Sequence, residues 1–306
     1  MLCLEGKVLS AKTRISEGLI GVVFLAIATS FPEITTAVTS VFFLDKVGLG
    51  YGDILGSVIV NFMMLAGIDY LAGRGRVLLR VSRLNRLTGY YICLFAVIVT
   101  LSAVSRTIGM DLVNLWNIGI ESAVILVLYV SVIRVLHRSG EDDVNADMPA
   151  PENPVIIWGK FTALLLIVLF LGALLAHIGD IIVRTTDFSQ TFTGTIFLGI
   201  ATSLPELIVS FAALRAGSVD MAVGNILGSN LFDICIIPVL DMVCADPILG
   251  VLTYGQVLIT VIFMAMSVVF AGSVLIKKDT GSRLNVDTML IFTIGFVGFV
   301  IIYYLQ

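Results

Sequence analysis

The amino-acid sequence predicts an all-α polytopic membrane protein, built as two inverted-topology repeats of five transmembrane helices with the first helix largely missing. Three observations carry that prediction. First, 58% of the 306 residues are hydrophobic and 13% are charged, with a mean hydropathy of +1.06; this composition excludes a water-soluble domain. Second, one phrase is written twice inside apolar runs, as Ala26-Ile-Ala-Thr-Ser-Phe-Pro-Glu33 and as Gly199-Ile-Ala-Thr-Ser-Leu-Pro-Glu206. Third, Lys and Arg collect on one side of the membrane once the spans are laid out.

Nine segments are apolar and long enough to cross about 30 Å of hydrocarbon. The first, 18–44, holds the first copy of the phrase, and the second, 51–72, holds Gly52-Asp-Ile-Leu-Gly-Ser57-Val-Ile-Val-Asn61. The third and fourth, 88–108 and 112–136, lie on either side of the short loop that contains Arg106. An acidic stretch with Glu141, Asp142, Asp143, Asp147 and Glu152 then leads to the fifth, 155–183. The sixth, 190–214, carries the second copy of the phrase, and the seventh, 219–243, carries Gly224-Asn-Ile-Leu-Gly-Ser229-Asn-Leu-Phe-Asp233. Segments 252–276 and 286–305 complete the set.

With the basic loop at 74–86 placed inside, only Lys46, Arg106 and Arg184 of the 18 Lys and Arg fall outside. The 137–153 loop is then cytoplasmic and the C-terminus outside. The formal charge of -4 carries little information, because the acids of that one loop account for it. The four cysteines, Cys3, Cys93, Cys235 and Cys244, have neither metal-ligand spacing nor a secreted disulfide pattern. Met1 to Lys12 does not form a signal peptide, since Glu5, Lys7 and Lys12 break its apolar stretches.

The two motif pairs recur at offsets that agree to within one residue, so the halves share one ancestral fold. Residues 1–136 form a first repeat, with its motifs at 18–72. The loop at 137–153 follows, and 154–306 form a second repeat, with its motifs at 190–243. Five helices per repeat force the second copy to enter from the opposite side, an arrangement that puts a transporter's site at the midplane between repeats. The same offset maps the helix at 155–183 to a position mostly before Met1. The expected cause is a start codon assigned too late, with a natural or engineered truncation as the alternative.

A carboxylate at the centre of a membrane helix costs about 2.5–3.5 kcal/mol on insertion scales, so Glu33 and Glu206 demand a role. Thr29 and Glu33, Thr202 and Glu206, Ser57 and Asn61, and Ser229 and Asp233 are each spaced i, i+4 and present oxygens on one face. Pro32 and Pro205 lack the amide hydrogen that would bond the carbonyls of Ala28 and Ala201, so each helix bends and frees backbone oxygen. An all-oxygen shell suits a hard cation such as Ca²⁺, and no soft ligand occurs in these motifs. Two glutamates balance one Ca²⁺ or two Na⁺, so a single cavity can serve either ion in turn.

These phrases, ATSFPE and ATSLPE with GDILGS and GNILGS, resemble the two α-repeats of sodium/calcium exchangers of prokaryotic type, within the calcium:cation antiporter superfamily. The resemblance covers both repeats, their spacing and the acidic central loop. It implies a secondary antiporter that exchanges Ca²⁺ for Na⁺ by alternating access, with those ions as substrates and no cofactor. It also implies ligand roles for Thr29, Ser30, Glu33, Ser57 and Asn61, for Thr202, Ser203, Glu206, Ser229 and Asp233, and for backbone oxygens at Ala26 and Gly199. The sequence departs from the family pattern at Ala28 and Ala201, where glycine is usual, at Val58, where asparagine is usual, and at Asp53, which stands opposite Asn225. Asp53 reads either as an ion-tuning charge or as a capping or water-facing residue. An aspartate at the place of Asp233 accompanies K⁺ use in one branch of the superfamily, so H⁺ or K⁺ coupling is the alternative to Na⁺. A cation channel is a more distant one.

Other polar residues carry less. His177 and Asp180 read as a solvated helix end or a proton relay, and Glu121 and Asp69 as groups along water paths. The run Arg74 to Arg86 reads as positive-inside anchoring or contact with anionic lipid. The acidic loop lacks an EF-hand pattern. No HExxH or GxSxG motif occurs, which argues against an intramembrane enzyme. Nothing points to nucleic acid; the expected partners are the lipid bilayer and the transported ions, the expected state is a monomer, and the expected location is a prokaryotic inner membrane.

Overall fold

Nine helices of membrane-spanning length and composition occur among the described residues of the computed structural model, which are 16–71, 81–110, 112–115, 118–139, 154–244, 246–276 and 286–305. They are α1 (Ile20–Phe43), α2 (Val47–Leu71), α3 (Arg83–Thr107), α4 (Ile120–Ser139), α5 (Pro154–Thr185), α6 (Gln190–Arg215), α7 (Val219–Val243), α8 (Tyr254–Ile276) and α9 (Val286–Tyr304). Each corresponds to one apolar run of the sequence. Side-chain caps mark two of the starts: Ser82 Oγ accepts the Asn85 amide before α3 and Ser189 Oγ accepts the Phe192 amide before α6. The acidic loop and Arg74 to Arg80 lie outside the described residues.

The helices sort by burial according to what their sequences carry. Gly48 to Ile59 on α2 and Met221 to Leu231 on α7 are buried without interruption, although both stretches contain polar groups. By contrast α4, α5 and α9 expose apolar side chains such as Val127, Phe170 and Phe296, as expected of surfaces solvated by lipid. Phe62 of α2 stacks with Phe263 and Phe270 of α8 at ring-centroid distances of 6.4 and 5.8 Å. The Tyr51 hydroxyl and Thr260 share a hydrogen bond of 3.0 Å that ties the same two helices.

Packing is crossed between the repeats. The first half of α1 lies on α7, and the first half of α6 lies on α2. Glycine makes this approach feasible: a Cβ at Gly56 would sit 2.2 Å from the Thr195 carbonyl oxygen, and one at Gly228 would sit 2.2 Å from that of Val22. No side chain fits at either position, and the small residue lets backbones touch without a hydrophobic drive between helices. Thr36 of α1 donates to the Gly172 carbonyl of α5 at 3.1 Å, which holds the second half of α1 against that helix.

One span departs from the sequence expectation. The fourth apolar run, expected over 112–136, begins with a two-residue antiparallel ladder, Asn114–Leu115 with Ile118–Gly119, and becomes helical only at Ile120. Local polar bonding explains the delay. The Gly119 amide and the Ser122 hydroxyl donate to Asp241 Oδ2 at 3.0 and 2.7 Å, and Asp241 Oδ1 accepts the Ile248 amide at 2.7 Å. Glu121 therefore opens a helix instead of lying deep within one. It binds Arg106 through two hydrogen bonds, Nε to Oε1 at 2.6 Å and Nη2 to Oε2 at 3.1 Å. The pair is nearly sealed, with side chains 9% and 2% exposed.

Two further polar residues find structural partners. Asp69 Oδ2 accepts from Thr288 at 2.8 Å, which links α2 to α9. Asp180 pairs with Arg184 one turn along α5 at 2.8 Å. Breaking the buried Arg106–Glu121 pair strands a cation, a change that costs about 3–5 kcal/mol in sealed sites. Glu121→Ala is therefore expected to lower thermal stability in detergent by about 3 kcal/mol. A melting curve superimposable on the parent's would contradict that assignment.

Candidate functional site

Both copies of the repeated phrase break their helix at the same place. In α1 a π-helical stretch, Ile20–Leu25, runs into a short α-helix, Ala26–Thr29; Ser30 leaves helical geometry (φ -86°, ψ 9°), and a new helix starts at Phe31 with Pro32 in its first turn. In α6 the order is the same: π-helical Thr193–Leu198, α-helical Gly199–Thr202, then Ser203 (φ -78°, ψ -2°) and a helix from Leu204 with Pro205 in its first turn. The prolines account for the restarts, since a first-turn position wastes no amide donor. Glu33 and Glu206 each fall in the first turn of the restarted helix, where the unpaired amides and the helix dipole favour an anion.

The crossed packing then brings the motifs of opposite repeats together in two half-sites. In one, Ser30 of α1 and Ser229 of α7 donate to Glu206 Oε1 at 3.4 and 3.2 Å, and the Thr29 and Ser229 hydroxyls lie 3.2 Å apart. Thr29 Oγ1 also lies 3.2 Å from the Ala26 carbonyl oxygen. In the other half-site the Ser57 hydroxyl of α2 lies 2.8 Å from that of Thr202 and 3.3 Å from the Gly199 carbonyl oxygen. Ser203 donates to that same carbonyl at 2.7 Å. Nine of the residues singled out from the sequence are thus joined in two networks: Ala26, Thr29, Ser30, Glu206 and Ser229, and Ser57, Gly199, Thr202 and Ser203.

The remaining three, Glu33, Asn61 and Asp233, are buried to within 1% exposure, and none of their side-chain oxygens or nitrogens has a hydrogen-bond partner among the described residues. Glu33 lies within electrostatic reach of Glu206, Asp233 and Asp53, and Asp233 within reach of Glu206 and Asp53. Glu206 Oε2 and Asp53 Oδ2 are likewise buried without partners. Four carboxyl groups thus share one buried region, where an uncompensated charge costs several kcal/mol. Among the described residues no three Asp, Glu, His or Cys side chains converge tightly enough to hold an ion alone. Any cation bound here must take hydroxyl and carbonyl oxygens as well, which is a hard-cation shell.

Two residues that the sequence left without a role take part in the site. Asn225 accepts weakly from Thr29 at 3.4 Å, and its amide nitrogen donates to Ser210 Oγ at 3.0 Å. Ser210 lies one turn after Glu206 on the same helix face, and that spacing was the available signal. The π-helical stretches before each phrase left no readable pattern, although such distortions recur at functional sites. Above α2 lies a cavity of about 600 Å³ lined by Asp45, Gly48, Gln190, Thr191, Thr253 and Gln256, among others.

Comparisons with known proteins place this geometry in context. The family model described as sodium/calcium exchanger protein matches residues 2–136 and 156–305. The inner membrane protein YrbG of Escherichia coli is 27% identical over 225 residues, which cover 72% of this chain and 67% of that protein. The putative antiporter CaxA of Alkalimonas amylolytica is 25% identical over 249 residues, which cover 79% and 75%. Among solved structures, the sodium-calcium exchanger NCX_Mj soaked with 100 mM Na⁺ and 10 mM Sr²⁺ superposes with a TM-score of 0.62 at 23% identity, over 98% of this chain and 91% of that one.

A cation that compensates the buried carboxylates stabilises the folded state. At a free Ca²⁺ concentration about 100 times its Kd, binding adds about 2.7 kcal/mol. Melting in detergent should therefore shift upward with added Ca²⁺ in the parent and not in a Glu33→Gln, Glu206→Gln double variant. An equal shift in both proteins would place the bound ion elsewhere.

Proposed function

The chain belongs to the sodium/calcium exchanger protein family, a family of transporters and not of enzymes, and on that premise we propose that it is a secondary antiporter exchanging Ca²⁺ for Na⁺ by alternating access at a midplane site. One observation carries the reading: Glu33 and Glu206, brought from opposite repeats to the broken ends of α1 and α6, are buried with unpartnered oxygens among nine neutral oxygen ligands. The proposed ligands are the side chains of Thr29, Ser30, Glu33, Ser57, Asn61, Thr202, Ser203, Glu206, Ser229 and Asp233 and the carbonyls of Ala26 and Gly199.

Exchange, in place of leakage, follows from charge. A cavity holding two uncompensated carboxylates pays a desolvation and repulsion penalty that a single Ca²⁺ or two Na⁺ remove. The loaded site crosses between outward and inward states; the empty one does not. The two repeats, 1–136 and 154–306, are joined by the 137–153 loop on the cytoplasmic side, with the C-terminus outside. The chain acts as a monomer in a prokaryotic inner membrane, a placement in keeping with its likeness to the inner membrane protein YrbG. The hydroxyls accommodate ions of either charge because each has a second acceptor: Thr29 lies 3.0 Å from the Leu25 carbonyl oxygen, and Thr202 lies 3.0 Å from that of Leu198. Their lone pairs can thus turn to a cation while their protons stay bonded.

Proteoliposomes loaded with Na⁺ and diluted into Na⁺-free medium should take up Ca²⁺, and Glu206→Gln should reduce that uptake at least about 30-fold, the equivalent of roughly 2 kcal/mol at a charged ligand. Uptake indifferent to both the Na⁺ gradient and the substitution would sink the exchanger reading.

A further inference from the structure

We propose that Asp53 is a cation ligand, which gives the half-site of Ser57 and Thr202 an additional place for a monovalent hard cation of the Na⁺ class. The inference rests on the exchanger reading and deepens it, because it assigns a charge that none of the repeated motif positions requires. Its basis is a difference between positions that the internal repeat makes equivalent.

On α7 the equivalent residue is Asn225, and its polar groups have work within the protein. Its oxygen accepts from Thr29, and its amide nitrogen donates to Ser210 at 3.0 Å and more weakly to the Glu206 carbonyl oxygen at 3.4 Å. Asp53 on α2 has only the first of these bonds. Its Oδ1 accepts from Thr202 at 3.0 Å, while its Oδ2 is buried without a partner among the described residues. The reason is legible in the sequence. The residue equivalent to Ser210 is Ala37, which lies one turn after Glu33 and offers no donor. Ala37 packs beside Gly50 just as Ser210 bonds the Ala222 carbonyl in the other repeat. A structural capping role would be served by asparagine with serine, as the second repeat demonstrates. The first repeat instead has a carboxyl group and lacks the neutral partner.

A charge so placed attracts a cation, and suitable oxygens surround it. Thr202 Oγ1 stands 3.0 Å from Asp53 Oδ1 and 2.8 Å from Ser57 Oγ, so three oxygens form a continuous row. Thr202 has an alternative acceptor in the Leu198 carbonyl at 3.0 Å. When its proton turns there, both the Thr202 lone pair and the Asp53 carboxylate are released to coordinate. Asp53 lies within electrostatic reach of Glu33, Glu206 and Asp233. Asp53 thus adds an acid beyond the two glutamates that a single Ca²⁺ balances. Access is also at hand: Gly48, which lines the 600 Å³ cavity, precedes Asp53 by five residues, about 7.5 Å along the helix at 1.5 Å per residue.

The test uses the full chain with Asp53→Asn, which copies the natural arrangement at Asn225, and with Ala37→Ser, which restores the missing donor while keeping the charge. Purified protein is assayed for ²²Na⁺ bound at saturation in detergent, and for Na⁺ moved per Ca²⁺ and the steepness of the Na⁺ dependence in proteoliposomes, with Glu206→Gln alongside. The expected results are about one fewer Na⁺ bound and a shallower Na⁺ dependence for Asp53→Asn, and a several-fold weaker Na⁺ affinity with the full count for Ala37→Ser. The binding count reads out even if Asp53→Asn fails to transport. An unchanged Na⁺ count and steepness in Asp53→Asn overturn the inference. So does an unchanged Na⁺ count with an altered pH profile, which makes the occupant a proton. If Glu206→Gln abolishes Ca²⁺ uptake while Asp53→Asn leaves Na⁺ binding untouched, this inference alone fails. If Glu206→Gln leaves uptake intact, the exchanger reading fails instead.

Discussion

Charge buried without protein partners is the constraint on which the rest of this structure depends. Glu33, Asp53, Glu206 and Asp233 are all at or within 1% of complete burial, and each retains at least one oxygen that no described residue bonds. A fold that wanted only stability would remove such groups, since well-packed apolar side chains of similar volume are often at least as stable as buried ions. The proposed exchange accounts for their retention, because mobile cations would complete the electrostatics. The broken helices, the crossed packing and the glycine contacts can each be understood as a means of holding oxygens around those cations while lipid covers the outside.

The route from sequence to site runs through backbone geometry. Proline forces α1 and α6 to end and restart, and each restart presents a helix N-terminus beneath a glutamate. Glycine at positions 56 and 228 lets α2 and α7 touch the π-helical stretches of α6 and α1. Only because those backbones touch can Ser57 reach the Gly199 carbonyl and Ser229 reach the Thr29 hydroxyl. The Arg106–Glu121 pair and the Asp241 cluster tie the ends of α3, α4 and α7 together away from the ions.

Much of this was legible beforehand because membranes impose strict rules. Apolar runs of sufficient length mark all nine spans, and the repeated phrase marks the residues that the fold later gathers from both halves. Helical spacing put Thr29 with Glu33, Thr202 with Glu206, Ser57 with Asn61 and Ser229 with Asp233, each pair on one face of its own helix. Sequence could not reveal the late start of α4, because the deciding hydrogen bonds come from Asp241 more than a hundred residues away. Glu121 was read as a group along a water path for the same reason; its partner Arg106 lies across a turn whose geometry no apolar pattern encodes. Ser210 was not singled out and Asn225 was named only as the residue opposite Asp53, since their bond forms only where α6 and α7 meet. The π-helical stretches are likewise products of tertiary contact and not of local propensity.

The central claim is that a divalent hard cation sits between glutamates from opposite repeats. Anomalous diffraction from crystals equilibrated with Ca²⁺ tests it most directly. The account predicts one principal peak within about 2.3–2.6 Å of carboxylate oxygens from both Glu33 and Glu206, with hydroxyl or carbonyl oxygens of Thr29 and Thr202 alongside. A principal peak that touches neither glutamate would contradict it.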